Sequence, residues 1–376
     1  MTRRFTRMMV VILVVVALLT AALFALLRLP VFGTDPAGTR LERIRQSPHY
    51  QDNAFQNREE TSVESKESNV LKLLGGYWNR SPENEPKQPL PSVRTDLNAL
   101  PDAQPTFVWF GHSSYLLRHN GFTLLMDPVF GGNASPVSFF GKSFPGSDAY
   151  GPADMPDIDV LVLSHDHYDH FDYTTIKALI PKVKQFVVAL GVGAHLEHWG
   201  VPANRITELD WFETTTVQDG IQLTATPARH FSGRSLARGR TLWASYVLQL
   251  PGYRLFLGGD SGYDKTFAQL GAQYGPFDLA ILECGQYNAL WPSIHMFPEE
   301  VVQAGQDLNA KAILPVHWGK FALAYHAWTE PVERFSKRAQ AAGMPFATPQ
   351  IGQPVVLGQP LPQTAWWRTV GTGQAQ

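Results

Sequence analysis

Residues 163–170 read "LSHDHYDH", closing the apolar run "DIDVLVL" at 157–163. The apolar run has the length and the Val/Leu content of a buried strand. Three histidines and two aspartates then fall within the six positions 165–170. The order is H-x-H-x-D-H, formed by His165, His167, Asp169 and His170. In an extended or tightly turning segment, residues two apart point the same way. His165 and His167 can therefore face one metal ion while Asp169 and His170 turn toward a second. One ion would not need four donors from a single loop, whereas a pair of ions a few ångströms apart would.

Further donors recur at the same kind of place, the end of an apolar strand. "LTATPARH" ends in His230, "YRLFLGGD" in Asp260 and "AILPVH" in His317. Taken singly, each reads more simply as a satisfied polar group. Taken with the first motif, they give seven ligands from four strand ends, and ligands collect at the rim where such ends meet. Imidazole and carboxylate donors without thiolate suit Zn²⁺, two per chain, with Fe or Mn as substitutes. A bound cation lowers the pKa of its water from about 15.7 to roughly 7. Water would then be a nucleophile at neutral pH, and no serine or cysteine nucleophile is required.

From about residue 105 onward, short β-branched and aromatic runs alternate with turn residues. "LLRHNGFTLL" carries Asn-Gly between two apolar runs, a hairpin signal. "DYTTIKALI" and "PEEVVQAGQDLNAKA" read as helices, the second opening with Pro298, Glu299 and Glu300, a favourable first turn. Strands in a meander, followed by strands alternating with helices, predict one large α/β domain.

The donor order, with the stretches "VWFGHSSYLL", "TLLMDPVF", "LSHDHYDHFD", "RHFSGR", "LWASY", "LGGDSGYD", "IHMFPEE" and "PVHWGKF", resembles the metallo-β-lactamase-fold hydrolases. Within them, residues 105 to about 345 resemble the N-acyl-phosphatidylethanolamine phospholipase D-like branch. The resemblance implies a four-layer αβ/βα sandwich and a dinuclear, usually zinc, centre. By motif position His165, His167 and His230 would hold the first metal, and Asp169, His170 and His317 the second. Asp260 would bridge them, Asp127 of "LMDP" would orient a ligand, and His295 would lie on the substrate side. Asp127, Asp169, Asp260 and His295 are thus the candidate catalytic residues. The chain departs from the branch in "ILECGQYNALWPSIH", where Glu283 and Gln286 stand in place of a less acidic sequence. Asp260 also occupies a position where zinc β-lactamases typically use cysteine, which argues against β-lactam hydrolysis.

The rest of the chain narrows the setting. "MTRRFTR" precedes an uncharged span, Met8 to Leu27, of twenty residues. At about 1.5 Å per residue it covers roughly 30 Å, a bilayer's hydrocarbon core. Arg3, Arg4 and Arg7 favour a cytoplasmic N-terminus, and no clean cleavage site precedes Arg28. A single-pass anchor over 1–30 is therefore expected rather than a cleaved signal, and either exports the remainder. Residues 31–100 are polar and proline-rich and read as a spacer packing partly on the domain, and 101–365 as the hydrolase domain. The net charge of −2 gives no bulk attraction to nucleic acid, and the single cysteine, Cys284, rules out an intrachain disulfide.

The expected activity is a phosphodiesterase of the phospholipase D type, acting on a phospholipid within the membrane that holds the anchor. A lactonase or esterase is the alternative, and a non-catalytic envelope binding protein is less expected because all seven ligand positions are filled. Arg229, Arg234, Arg238 and Arg240 around His230 read as a solvated basic loop more simply than as phosphate ligands. Trp291, Phe297, Trp318, Phe321, Tyr325 and Trp328 read mostly as core, with acyl-chain lining as the functional alternative.

Overall fold

The computed structural model describes residues 2–63, 65, 68, 70–235 and 237–370. The chain opens with helix α1 (Thr2–Leu26), then α2 (Gly38–Gln46), a small hairpin of β1 (Tyr50–Gln51) and β2 (Ala54–Phe55), and α3 (Val70–Trp78). The strands β3 (Thr106–Trp109), β4 (Tyr115–His119), β5 (Phe122–Met126) and β6 (Ile158–Leu163) follow. Next come α4 (Tyr173–Leu179), β7 (Val183–Ala189), α5 (Gly193–His198) and β8 (Ile206–Leu209). The second half holds β9 (Thr214–Gln218), β10 (Ile221–Thr226), β11 (Ser245–Leu250), β12 (Tyr253–Leu257), α6 (Thr266–Tyr274) and β13 (Leu279–Glu283). It closes with α7 (Pro298–Asp307), β14 (Ile313–Val316), α8 (Glu330–Ala341) and β15 (Pro354–Val356).

Two sheets result, a seven-stranded one in the order β15-β3-β4-β5-β6-β7-β8 and a six-stranded one in the order β14-β13-β12-β11-β10-β9. Side-chain alternation along each strand feeds two apolar layers. Leu255 and Leu257 of β12 and Leu279 and Ile281 of β13 join the large core shared with the first sheet. Their neighbours Phe256, Ala280 and Leu282 face the other way, onto Val301 and Val302 of α7 and Phe335 of α8. Ile176 and Leu179 of α4 and Leu196 of α5 join the large core on the side of the first sheet. The sandwich with helices on its outer faces is the fold expected from the donor order.

Strand direction positions the site. β5, β6 and β7 are parallel, and β3 runs with them because β4 is antiparallel to both β3 and β5. In the other sheet β12, β13 and β14 are parallel, and β10 runs with β12 because β11 opposes both. The C-terminal ends of each set therefore gather at one rim. The expected Asn-Gly hairpin joins β4 to β5, with φ of 48° at Asn120 and 77° at Gly121, the left-handed pair that a tight hairpin turn requires.

The segment 31–100, read as a spacer, carries regular structure of its own: α2, the β1–β2 hairpin and α3. α2 is fastened to the domain by Arg40, whose guanidinium lies 2.7 Å from both Glu197 and Glu208. α1 carries a span, Arg4–Leu26, long and apolar enough to cross a membrane, and none of it is buried.

Candidate metal centre

Each donor singled out in the sequence sits just past a strand that ends at this rim. Asp127 follows β5; His165, His167, Asp169 and His170 follow β6; His230 follows β10; Asp260 follows β12; His317 follows β14. The loop carrying Asp260 can approach the β6 loop because Gly259 has no side chain. A Cβ there would lie 2.6 Å from the Ala244 carbonyl and 2.9 Å from Ser164 Cβ.

Three ring nitrogens converge at one point: His167 Nδ1 lies 2.8 Å from His165 Nε2 and 3.2 Å from His230 Nε2. Zinc–nitrogen bonds of about 2.0–2.1 Å set tetrahedral ligands about 3.3 Å apart, so the spacing is that of donors around one ion. Beside them, His170 Nε2 is 3.1 Å from Asp260 Oδ2 and 3.5 Å from Asp169 Oδ2. Asp260 Oδ2 also lies 3.7 Å from His230 Nε2 and 3.9 Å from His165 Nε2, while Oδ1 is 3.3 Å from His317 Nδ1. Asp260 thus stands between the two groups of donors. Among the described residues, every cluster of histidine and carboxylate atoms able to hold an ion falls at this rim.

The residues fit a pair of divalent cations on three further grounds. First, His170 Nε2, His317 Nε2 and Asp260 Oδ1 are buried without a hydrogen-bond partner, and native proteins satisfy such atoms. Second, on His165, His230 and His170 the other ring nitrogen is engaged. His165 Nδ1 meets Ser164 Oγ at 2.9 Å, His230 Nδ1 donates to the Ile294 carbonyl at 2.9 Å, and His170 Nδ1 donates to Asp127 at 2.8 Å. Such bonds fix the tautomer of a ligating histidine. Third, burial drives His165, His230 and His317 well below the usual imidazole range and keeps them neutral, the form that ligates. Burial would also deprotonate His170, but Asp260, Asp169 and the bond to Asp127 outweigh it and raise its pKa well above the ordinary value. Burial opposes ionisation of Asp260 too, yet His170 and His317 hold its carboxyl well below the usual carboxylate range. The field at this point favours positive charge.

Asp127 is fully buried and accepts three bonds, from Ser164 N at 2.8 Å, Ser164 Oγ at 2.6 Å and His170 Nδ1 at 2.8 Å. Its φ is 41°, and His317 and His112 are also left-handed, at 68° and 51°. Non-glycine residues in that region are uncommon and cluster where the surrounding structure forces them. Here the cause is visible: His112 N donates to the Trp318 carbonyl at 2.9 Å and His317 N to the His112 carbonyl at 2.8 Å, stitching one sheet's rim to the other's. His112 was not foreseen as a site residue. Its Nε2 lies 2.9 Å from Asp169 Oδ2, which aims that carboxylate at the centre. Glu283, at the end of β13, also enters the site: it lies 3.4 Å from His295 Nδ1 and accepts from Met296 N at 2.7 Å. His295 stacks on His317 with ring centres 5.2 Å apart.

A cavity of about 260 Å³ opens over the centre; His167, Asp169, His230, Asp260, His295 and His317 line its polar part, and Val63, Leu73, Trp291, Ile294 and Leu323 its apolar part. Of the six aromatics, Trp291 therefore faces the cavity, whereas Trp318 is buried in a stack with Trp109 and Trp366. The basic loop is not uniformly solvated either. Arg234 is buried, donates to the carbonyls of Asp166 and Phe171 at 2.7 Å each, and lies 4.1 Å from the Tyr168 ring centre. Three carbonyl acceptors, the third that of Val31, and a stack of aromatic rings explain why a guanidinium is tolerated inside.

A model of the β-lactamase superfamily domain matches residues 123–318. The chain is 42% identical over 343 residues to an uncharacterized protein of Mycobacterium tuberculosis, covering 89% of this chain and 91% of that one. It is 31% identical over 263 residues to N-acyl-phosphatidylethanolamine-hydrolyzing phospholipase D 1 of Caenorhabditis elegans, covering 65% of this chain and 74% of that enzyme. Among solved structures, the metallo hydrolase Igni18 of Ignicoccus hospitalis shares the fold, with a TM-score of 0.54 at 18% identity over 67% of this chain and 97% of its own. With its donors gathered at the rim of this sandwich, the chain belongs to the metallo-β-lactamase-fold hydrolases, in their N-acyl-phosphatidylethanolamine phospholipase D-like branch.

Proposed function

We propose that this metal-dependent hydrolase is a phosphodiesterase of the phospholipase D type, cleaving N-acyl-phosphatidylethanolamine-like lipids to phosphatidic acid and the head-group amide. The observation that carries this reading is the shape of the cavity: a floor of metal donors beneath a wall that includes Val63, Leu73, Trp291 and Leu323. A substrate with an anionic phosphodiester and apolar chains matches both parts. His165, His167 and His230 would hold one ion, Asp169, His170 and His317 the other, with Asp260 between them. Two zinc ions, or Fe or Mn in their place, would supply an activated water and neutralise charge on the phosphoryl oxygens.

The chain's own residues supply the rest. Asp127 holds His170 with Nε2 turned inward, and His112 does the same for Asp169. The bond that breaks joins phosphorus to the head-group oxygen, and that oxygen leaves as an alkoxide needing a proton. His295 is the donor we assign. It lies in the cavity wall, and Glu283 beside its Nδ1 favours the protonated ring against the opposing effect of burial. α1 would act as a single-pass anchor, with Arg3, Arg4 and Arg7 in the cytoplasm and the hydrolase domain on the opposite, extracytoplasmic side.

Incubating the metal-loaded full chain with a mixed phospholipid extract, followed by lipid mass spectrometry, tests the reading. N-acyl-phosphatidylethanolamine should fall while phosphatidic acid and N-acylethanolamine rise in equal amount. An unchanged extract beside turnover of a lactone panel would overturn the lipid assignment and leave the hydrolase intact.

A further inference from the structure

Helix α3 sits at the mouth of the metal cavity with an apolar stripe turned away from it. Leu73 contributes to the cavity wall, and its carbonyl accepts a hydrogen bond from Tyr325 Oη at 3.2 Å. Gly76, one turn on, lies so close to the Tyr325 ring that a Cβ would come within 2.3 Å of it. The opposite face carries Leu71 and Trp78, each 79% exposed, and Leu74, 50% exposed. Positions i, i+3 and i+7 form one stripe along a helix, so these three are a contiguous face rather than scattered surface residues. Tyr77 flanks the stripe, with the Arg80 guanidinium 4.8 Å from its ring centre. Tyrosine, tryptophan and arginine beside aliphatic side chains are the composition that settles at the headgroup level of a bilayer.

The exit of α1 is fastened to the same rim. The Pro30 carbonyl accepts from Trp199 Nε1 at 2.8 Å, the Val31 carbonyl from Arg234 Nη2 at 2.8 Å, and Phe32 meets Tyr168 edge-on at 6.4 Å. Tyr168 stands between His167 and Asp169, which line the cavity together with Leu73. Four residues, 27–30, separate the end of α1 from the pinned Val31, and the five Cα steps across them span at most about 18 Å. A bilayer holding α1 therefore lies close to the cavity mouth that α3 borders.

We propose that α3 is a membrane-docking helix. Its Leu71–Leu74–Trp78 face beds into the bilayer that α1 spans, so that a lipid passes from the bilayer into the cavity without crossing water. The bilayer as partner rests on the anchor reading, and the lipid as cargo on the phospholipase reading above.

The test uses the full chain in lipid nanodiscs. The environment-sensitive dye NBD is attached at Leu71→Cys or Trp78→Cys, with Lys184→Cys as control at the start of β7, the opposite end of the first sheet from the metal rim. Doxyl-labelled lipids should quench the dye at positions 71 and 78 but not at 184, and equal quenching at all three would overturn the proposal. In parallel, the Leu71→Glu/Trp78→Glu double variant should lose about tenfold or more in turnover of bilayer-embedded N-acyl-phosphatidylethanolamine. Its turnover of the water-soluble diester bis(4-nitrophenyl) phosphate should stay within about twofold of the parent's. Equal loss on both substrates would make α3 a structural cover and overturn docking. Selective quenching in a protein that leaves the lipid uncleaved would uphold docking and remove the phospholipase reading.

Discussion

Replacing Asp127 with asparagine exchanges one carboxylate oxygen for an amide nitrogen at a fully buried position that accepts three hydrogen bonds. If the carboxamide keeps its oxygen toward the Ser164 amide, its NH₂ faces His170 Nδ1. That ring must then carry its proton on Nε2, the atom turned toward Asp260 and Asp169, and is lost as a ligand. If the carboxamide flips, His170 is kept and the buried Ser164 amide meets another donor. Leaving one such donor unsatisfied costs about 1–3 kcal/mol. At 1.4 kcal/mol per factor of ten, either arrangement should weaken one metal equivalent by about tenfold to a hundredfold, the range seen when a partner of a ligating histidine is removed. Competition of Asp127→Asn against a chromophoric chelator at neutral pH reads this directly. Two equivalents bound with parental affinity would refute the role given to Asp127.

Other perturbations have equally definite outcomes. Arg234→Met removes a buried guanidinium that serves the Asp166, Phe171 and Val31 carbonyls; about 3 kcal/mol or more of stability should go, read as a lower denaturant midpoint. Asp260→Ala, or chelation of the parent protein, should abolish at least about 99% of turnover, and turnover indifferent to both would remove the metal mechanism. The Tyr168 phenol, raised to about 12 by burial, ionises near 10 when unfolded. Because the folded value is the higher one, the stability it contributes is complete below pH 10 and is lost as pH climbs through about 12. Denaturant titrations should show a shallower alkaline decline for Tyr168→Phe, and an unchanged slope would contradict this.

The donors at the ends of β6, β10, β12 and β14 were legible because buried strands run as apolar stretches and polar residues at their ends stand out. The alternation of strand-like and helical stretches pointed to one α/β domain, and the four-layer sandwich came from the family resemblance, because strand direction, which decides which ends share a rim, is not written in any local stretch. His112 was hidden. It lies in a loop whose left-handed backbone is held by a pairing with Trp318 from the other sheet, and no local pattern announces that pairing. Glu283 was visible only as an unexpected acid, and its meaning comes from His295, twelve residues on and across the rim. Arg234 has the same local composition as its solvated neighbours, and what differs is the aromatic cage formed by Tyr168, Phe171 and Trp199. α3 was absorbed into the spacer, and which of its faces turns outward is decided by Tyr325, far along the chain, against which Leu73 and Gly76 pack.

Hydrolysis of N-acyl-phosphatidylethanolamine in ¹⁸O-labelled water, by the full chain before and after chelation, probes the central claim most directly. Label should appear in the phosphate of phosphatidic acid only, with turnover vanishing on chelation and returning when zinc is restored. Label in the N-acylethanolamine oxygen, or undiminished turnover after the metals are stripped, would contradict water attack at phosphorus over a paired metal centre.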